Sequence, residues 1–542
     1  MKRGILYRNR CEMKKKLSAR KRKWIERTIA NDRSYKVFLY NRFFTFLIAA
    51  LLQLASFGLL TFLMIYHSKF AITMQVTMFA LQILFLLHIL NRYPRPSAKM
   101  GWIVLIVIVP FFGVPWYLLN GMVRPTRKMR KKLVKSQTEN REKLCAFYGE
   151  SETKTERKDG ISTFLDRQAG YPAYHDGEVQ YYKAGEEMFP DMLESLRKAE
   201  KFIFLEYFII AHGKMWSEIR EILLEKASLG VQVRIIYDDF GCMTTLPPRY
   251  ERYLELLNEN IKCVTFNNVM PVVALRMNNR DHRKIMIIDG KVAFTGGANI
   301  ADEYIAEKRR FGYWKDTGVR VTGNAVISFI VMFMDMWNAF AKDKEDITRY
   351  LTACEQGERT GKGCIQPYEN SPIIQPNTAE AVYADMINRA KKYLWIFTPY
   401  LVLDEYMRAN LCLAAMRGVD VRIVTPAIPD KKIVYRLTRA NYDVLMQAGV
   451  KIYEYTPGFI HAKSMLCDGE SAVVGTINLD YRSLYHHFEN AVYFSGVEAV
   501  ADLERDYQEV FAVSKQLTEK DARKTVFGKL FDAVLRVFET LL

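Results

Sequence analysis

DHRKIMIIDGKVAFTGGANI, residues 281–300, is answered by IHAKSMLCDGESAVVGTINL, residues 460–479. Laid side by side, they pair His282 with His461, Lys284 with Lys463, Asp289 with Asp468, Gly296 with Gly475 and Asn299 with Asn478 at identical spacing. A lone H-x-K is more often a strand histidine than a catalyst. Five identities in one register, twice in a chain, mark a duplicated unit that carries chemistry. Residues two apart on a strand project from one face, so imidazole and ammonium reach the same phosphate-sized group. Asp289-Gly290 and Asp468-Gly469 fall where a two-residue hairpin turn belongs, which leaves each aspartate two readings, turn residue or active-site residue. The return strands then bring Asn299 and Asn478 back beside their histidines. The small residues Gly296, Gly297, Gly475 and Thr476 let backbone N–H groups approach an anion there.

Outward from this pair the duplication continues. KAEKFIFLEYFI (198–209) answers RAKKYLWIFTPYLV (389–402), and GVQVRIIYDD (230–239) answers GVDVRIVTP (418–426). Helix ends running into apolar strands, in two copies, argue for two α/β domains, placed at 168–344 and 377–518. Downstream of the two histidines stand Asp316, in GYWKDTGV, and Glu489, in HHFENAV. Either carboxylate can accept the Nδ1 proton of an imidazole, and the alternative is a surface acid beside a strand. Polar stretches at 136–162 and 345–368 each read as a linker or short helix without a core face, which places linkers at 122–167 and 345–376.

The 542 residues carry 78 Lys and Arg against 60 Asp and Glu, a formal charge of +18. Residues 1–135 hold 26 of the basic residues and only three acids, and the remaining 407 are mildly acidic, with 52 basic and 57 acidic groups. That distribution argues against a nucleic-acid partner, which calls for a broad basic face. Eight scattered cysteines with no C-x-x-C indicate neither a zinc site nor a disulfide framework. The basic segment, with its arm at 1–42, is interrupted by a membrane region at 43–121 containing apolar runs 43–66, 70–90 and 102–119, the last broken by Pro110, Gly113 and Pro115. Lys and Arg crowd the arm, the 91–100 connection and the 124–132 exit, and all three therefore belong on the cytoplasmic side. A spanning hairpin over 43–90 followed by a re-entrant or interfacial third run satisfies this best; three full crossings are the alternative. The tail, 519–542, is amphipathic, with Phe527, Leu530, Phe531, Val534, Phe538 and Leu541 on one face, suited to a bilayer or to packing on the protein.

Together these motifs resemble the phospholipase D superfamily, whose H-x-K-x4-D and G-x-x-N signatures occur twice in bilobal members. Its bacterial cardiolipin synthase branch is the nearer likeness. The resemblance covers roughly 91–542 and includes PSAKMGWIVLIVIVPFFGVPWYLLNG (96–121), NNRDHRKIMIIDGKVAFTGGANIADEYI (278–305), VKIYEYTPGFIHAK (450–463), TPYLVLDE (398–405) and NLDYRSLYHHFE (478–489). It departs at Gly297, where the wider superfamily favours Ser, at His487, where the branch usually has Asn, and in the sequence before residue 70. The resemblance implies two phospholipase D-like α/β domains, with mixed sheets flanked by helices, behind a helical membrane region. It implies a phosphatidyl transfer between two phosphatidylglycerols with His282, Lys284, Asp289, His461, Lys463 and Asp468 as catalytic residues. Asn299, Asn478, Gly296, Gly297, Gly475, Thr476, Asp316 and Glu489 would bind or orient the phosphate, with no metal and no cofactor. Superfamily habit makes His282 the nucleophile and His461 the general acid. The same resemblance leaves open a hydrolytic phospholipase D, a phosphatidylserine synthase, or a membrane scaffold with inactive sites.

Overall fold

The computed structural model describes residues 68–92, 96–108, 126–148, 159–267, 278–352, 363–373, 377–522 and 525–537, with isolated positions between 54 and 118. The basic arm 1–42, most of the first apolar run, Pro110 and Pro115 lie outside the described residues. Helix α1 (Ser68–Arg92) contains the second apolar run. Its 25 residues reach about 37 Å at 1.5 Å per residue, enough to cross a hydrocarbon core. Helix α2 (Pro96–Ile108) has only 13 residues, about 20 Å, too short to cross. The described residues that follow, among them Gly113 and Tyr117, lie against it. A Cβ on Gly113 would stand 2.6 Å from the carbonyl oxygen of Leu105, and Tyr117 packs edge-on against Trp102 at 5.2 Å. Residues eight and fifteen apart are thus closer than one continuous helix would bring them, and the missing side chain at 113 permits that approach. Ile89, Trp102, Ile106, Val114 and Tyr117 close a small core with Tyr481 of the second α/β unit.

Helix α3 (Arg127–Tyr148) corrects the reading of 122–167 as a linker without a core face. Leu133, Ser136 and Asn140 are buried. Asn140 Nδ2 donates to Asp335 Oδ1 at 2.7 Å, and Gln137 Nε2 donates to Glu369 Oε1 at 3.0 Å. Its charged residues mask a narrow inward stripe, Met129, Leu133, Ser136, Asn140 and Leu144, that packs by apolar contact and by hydrogen bonds together.

The first sheet is built from β1 (Val179–Tyr182), β2 (Phe202–Tyr207), β3 (Gln232–Asp238), β4 (Ile261–Phe266), β5 (Lys284–Ile288), β6 (Val292–Gly296) and β8 (Gly318–Thr322), in the order β1-β8-β6-β5-β2-β3-β4. A short β7 (Tyr313–Lys315) stands apart from it. The second sheet uses β9 (Cys364–Asn370), β10 (Tyr393–Phe397), β11 (Asp420–Pro426), β12 (Lys451–Tyr455), β14 (Ser464–Cys467), β15 (Ser471–Gly475), β16 (Glu489–Ser495) and β17 (Ser514–Gln516). Its order, β17-β12-β11-β10-β14-β15-β16-β9, repeats the first with one edge strand added. In both, three parallel strands continue into an antiparallel set, so the sheets are mixed. β9 lies inside the stretch read as a linker at 345–376 and is the counterpart of β1: it pairs with β16 as β1 pairs with β8. The Asp-Gly hairpins form as the sequence dictates, with φ of 54° and 70° at Asp289 and Gly290 and of 55° and 68° at Asp468 and Gly469. Both central residues of each turn are left-handed, as a type I′ turn requires.

Helix α4 (Val326–Phe340) is strongly apolar, and with the three residues before it makes an 18-residue stretch, Gly323–Phe340, long and apolar enough to cross a membrane, yet 83% of that stretch is buried between the sheets. Phe333 stacks on Phe204 of β2 at 4.4 Å, and one apolar core runs through both sheets around this helix. Helix α5 (Lys432–Gln447) flanks the second sheet. The tail helix α6 (Val526–Val537) is tied to it by Arg436 Nε and Asp532 Oδ1 at 2.7 Å.

Candidate active site

The segments that carry the two histidines are stapled to the opposite lobe. His282 donates its backbone N–H to Phe488 O at 2.8 Å, and Phe488 returns a bond to Arg280 O at 2.8 Å. His461 donates to Lys315 O at 2.7 Å, just after β13 (Gly458–Ile460) pairs in parallel with β7. The residue following each staple is the other lobe's carboxylate. His282 Nδ1 therefore lies 2.8 Å from Glu489 Oε2, and His461 Nδ1 lies 2.6 Å from Asp316 Oδ2. Each imidazole is fixed in its ring orientation by a carboxylate from the other half of the duplication, leaving Nε2 for chemistry.

Lys284 Nζ bonds the carbonyl of His282 at 2.5 Å, and Lys463 Nζ bonds the carbonyl of His461. All four side chains are buried and sense one another. Burial, then Lys284, His487, Lys463 and His461, hold His282 well below the usual imidazole range. Burial and Lys463, opposed by Asp316, bring His461 to about 4. Burial takes Lys284 to about 7 and Lys463 to about 8, against the pull of Glu489 and Asp316. A pocket that crowds positive groups in this way is relieved by a bound anion, which raises the basicity of every one of them.

The two copies differ in detail. Burial would raise Asp316, but His461 and Lys463 outweigh it and keep it ionised. At Glu489 burial dominates over Lys284 and lifts the carboxyl well above the ordinary range. A Cβ on Gly297 would fall 2.0 Å from Asp316 Oδ1, so glycine makes room for that carboxylate. At the matching position Thr476 instead donates to Glu489 Oε2 at 2.5 Å. Two residues before the carboxylates, Trp314 packs against His461 at 5.4 Å and His487 against His282 at 5.6 Å. Tyr304, Phe459 and Phe208 complete the aromatic wall. None of these five was singled out as an active-site residue in the sequence, although the shared offset of Trp314 and His487 from the carboxylates was a usable signal.

Several assigned residues have other work. Asp289 accepts from the N–H groups of Glu200, Lys201 and Phe202 at 2.7, 2.7 and 2.8 Å. Asp468 accepts from Lys391, Lys392 and Tyr393, each at 2.8 Å. Both sit at the far end of the strand from the histidine, where they anchor the entry of β2 and β10, which corrects their catalytic reading. The N–H groups of Gly297, Gly475 and Thr476 are spent on the carbonyls of Thr317, Lys463 and Asn490, and Gly296 lies within the β6–β8 pairing, so these residues position carboxylates and strands and do not cradle an anion. Asn299 is engaged with Ile209 N–H and Tyr304 Oη, and Asn478 Nδ2 with Asp480 and Ser483. Beneath the site Arg283 is buried among Glu206, Asp281 and Glu369, each at 3.1 Å, which ties β5 to β9 across the lobes. As for a metal, His282, His487 and Glu489 bring ligand atoms within 4.8 Å of one another. The surrounding positive charge of Lys284, Lys463, Arg280 and Arg482 opposes a dication and favours a phosphate.

Comparison with known proteins agrees with this geometry. A family model described as "Cardiolipin synthase, PLD-like domain" matches residues 192–311 and 383–511, and one described as "Phospholipase_D-nuclease N-terminal" matches 80–121. A protein of Streptococcus mutans is 41% identical over 84% of this chain and 99% of its own. The cardiolipin synthase of Alkalihalophilus pseudofirmus is 32% identical over 83% of this chain and 90% of its own, and that of Geobacillus sp. is 33% identical over 85% and 91%. The phosphatidylserine synthase of Haemophilus influenzae shares the fold, with a TM-score of 0.54 at 14% identity over 70% of this chain and 99% of its own. Duplicated H-x-K strands, crossed carboxylates and matches over most of the chain place this protein in the phospholipase D-like cardiolipin synthase family.

Proposed function

We propose that the protein transfers a phosphatidyl group from one phosphatidylglycerol to another, giving cardiolipin and glycerol. The observation that carries the reading is the pair of crossed dyads, His282 with Glu489 and His461 with Asp316, flanked by two lysines in one buried site. Names among the relatives supply the substrate class. One imidazole Nε2 attacks phosphorus, forming an N–P bond as the bond from phosphorus to the glycerol oxygen breaks. The other imidazole, carrying a proton once the anionic phosphodiester has raised its basicity, gives that proton to the departing oxygen. Glycerol leaves, the hydroxyl of a second phosphatidylglycerol yields its proton to the same imidazole, and its oxygen displaces the histidine from phosphorus. Lys284 and Lys463 offset the charge that gathers on the non-bridging oxygens.

Two histidines are needed because one imidazole cannot be nucleophile and leaving-group acid at once. Superfamily habit makes His282 the nucleophile, and a trapped phosphatidyl-peptide containing His461 would reverse that assignment. Product analysis of the purified protein with phosphatidylglycerol in detergent micelles tests the function. Cardiolipin with equimolar glycerol is expected. Phosphatidic acid would make it a hydrolase, phosphatidylserine formed on addition of serine as acceptor would make it that synthase, and no turnover would leave a scaffold.

For the membrane region the same proposal includes a spanning hairpin over 43–90, a third run that enters and returns on one side, and catalytic lobes in the cytoplasm. The approach of Gly113 to Leu105 and the basic flanks support it.

A further inference from the structure

The tail helix α6 is amphipathic in the opposite sense from a helix that packs on a protein core. Two of its polar side chains face inward: Asp532 is 6% exposed and paired to Arg436 on α5, and Arg536 donates to the carbonyl of Ala440. Its apolar side chains face outward, with Val526, Phe527, Leu530, Phe531 and Val534 between 52% and 83% exposed. Burying a helix by its polar edge while leaving a large apolar face in water is unfavourable in proportion to the apolar area so exposed. The face therefore needs a cover.

Its surroundings identify that cover. α6 packs against α2, where Met100, Val107 and Ile108 are also exposed, and α2 packs on the membrane-crossing α1. Lys431, Lys432, Ile433 and Arg436 are exposed at the start of α5, and Arg436 stands over the Phe531 ring at 4.3 Å. Cations rimming an apolar surface match the headgroup level of an anionic bilayer. The same end of α5 borders the active site. Lys431 acts on Asp480, which accepts from Asn478 Nδ2 at 3.1 Å. Lys431 and Arg436 lie five residues apart, about 7 Å along the helix.

We propose that α6 is an interfacial anchor, its Phe527–Leu530–Phe531–Val534 face seated at the headgroup–acyl boundary of the bilayer that α1 crosses, with the basic end of α5 at headgroup level beside the site. The occupant is the phospholipid bilayer itself, rich in anionic lipid. The anchor holds the mouth of the second lobe against the surface, so a lipid phosphate reaches the histidines while its acyl chains stay in the membrane. This rests on the membrane reading but not on the identity of the reaction.

The test uses the full chain, freed of its native cysteines, reconstituted in vesicles of phosphatidylglycerol and phosphatidylcholine. A polarity-sensitive fluorophore is attached at Phe527→Cys, Leu530→Cys or Val534→Cys, with Leu229→Cys on the first lobe as the aqueous reference. Blue-shifted emission quenched by lipid-borne nitroxide at the three tail positions, and quenching by aqueous iodide at Leu229→Cys, is expected. Iodide quenching at the tail positions would overturn the proposal, as would tail emission that shifts only with protein density in the vesicle, the mark of a second copy as cover. In a second arm, Phe527→Asp with Leu530→Asp is expected to lower turnover of vesicle phosphatidylglycerol at least about fivefold, while monomeric short-chain lipid is turned over as before. Equal turnover of both lipids by variant and parent would overturn the anchor. The depth measurement stands whatever product the enzyme makes.

Discussion

Glu489 accepts from His282 Nδ1 and from Thr476 Oγ1, and its mate Asp316 accepts from His461 Nδ1 and sits in the space left by Gly297. Replacing either by its amide keeps the shape: at Asp316 it removes the charge that fixes the imidazole tautomer, and at Glu489 it puts an amide N–H in competition with the oxygen that accepts from His282 Nδ1. Glu489→Gln and Asp316→Asn are each expected to lower kcat about 10²- to 10⁴-fold with little change in thermal midpoint. Asp289→Ala should do the reverse, because three backbone N–H groups lose an ionised acceptor. A destabilisation of about 3 kcal/mol in denaturant titration is expected, with kcat of the remaining folded protein retained. The lysines set a third expectation. With folded values near 7 and 8, they are charged on the acid side and lose their protons as pH rises, while both imidazoles are already neutral in the empty site. kcat/KM should therefore fall as pH climbs through about 7 to 8.5, and a flat profile over that range would remove the lysines from charge stabilisation. The histidines and lysines were legible as a repeated register, and Asp316 and Glu489 as candidate partners. Which carboxylate serves which histidine was not, because that pairing depends on contacts more than 140 residues apart in the chain.

Hairpins β5–β6 and β14–β15 were readable because Asp-Gly demands a left-handed pair and the strands alternate around it. Helix α3 and strand β9 were not, and for a common reason: in each, buried polar residues interrupt the few apolar ones, Leu133 in α3 and Ile365 and Tyr368 in β9, that reach the core. α3 buries Ser136 and Asn140, and β9 buries Gln366, Glu369 and Asn370, so neither stretch has the apolar periodicity that marks an element in sequence. In the third apolar run the breakers Pro110, Gly113 and Pro115 announced an interruption, and the contact of Gly113 with Leu105 gives it direction. Gly113→Val would drive two methyl groups into that carbonyl and the Ile106 backbone. It is expected to cost about 1 to 3 kcal/mol in detergent-solubilised unfolding and to loosen Tyr117 from Trp102, visible as a red shift in tryptophan emission.

Across the whole molecule the sequence disclosed two α/β units behind a basic membrane segment, but not that a single apolar core with α4 at its centre serves both sheets. The hydropathy of α4 alone would have suited a membrane; its burial depends on the partner sheet. Orientation is the property of the assembled chain that charge predicts most directly. Single cysteines placed in 124–135 are expected to resist an impermeant maleimide in intact cells and to react after permeabilisation. Reaction in intact cells would put the catalytic lobes outside. The backbone staples between the lobes, His282 to Phe488 and His461 to Lys315, also decide how the protein fails. A chain in which one lobe is unfolded or has been clipped away retains an imidazole with neither its carboxylate nor its strand partner. Such a fragment holds half of a site, so the crossed geometry exists only while both lobes are folded against each other.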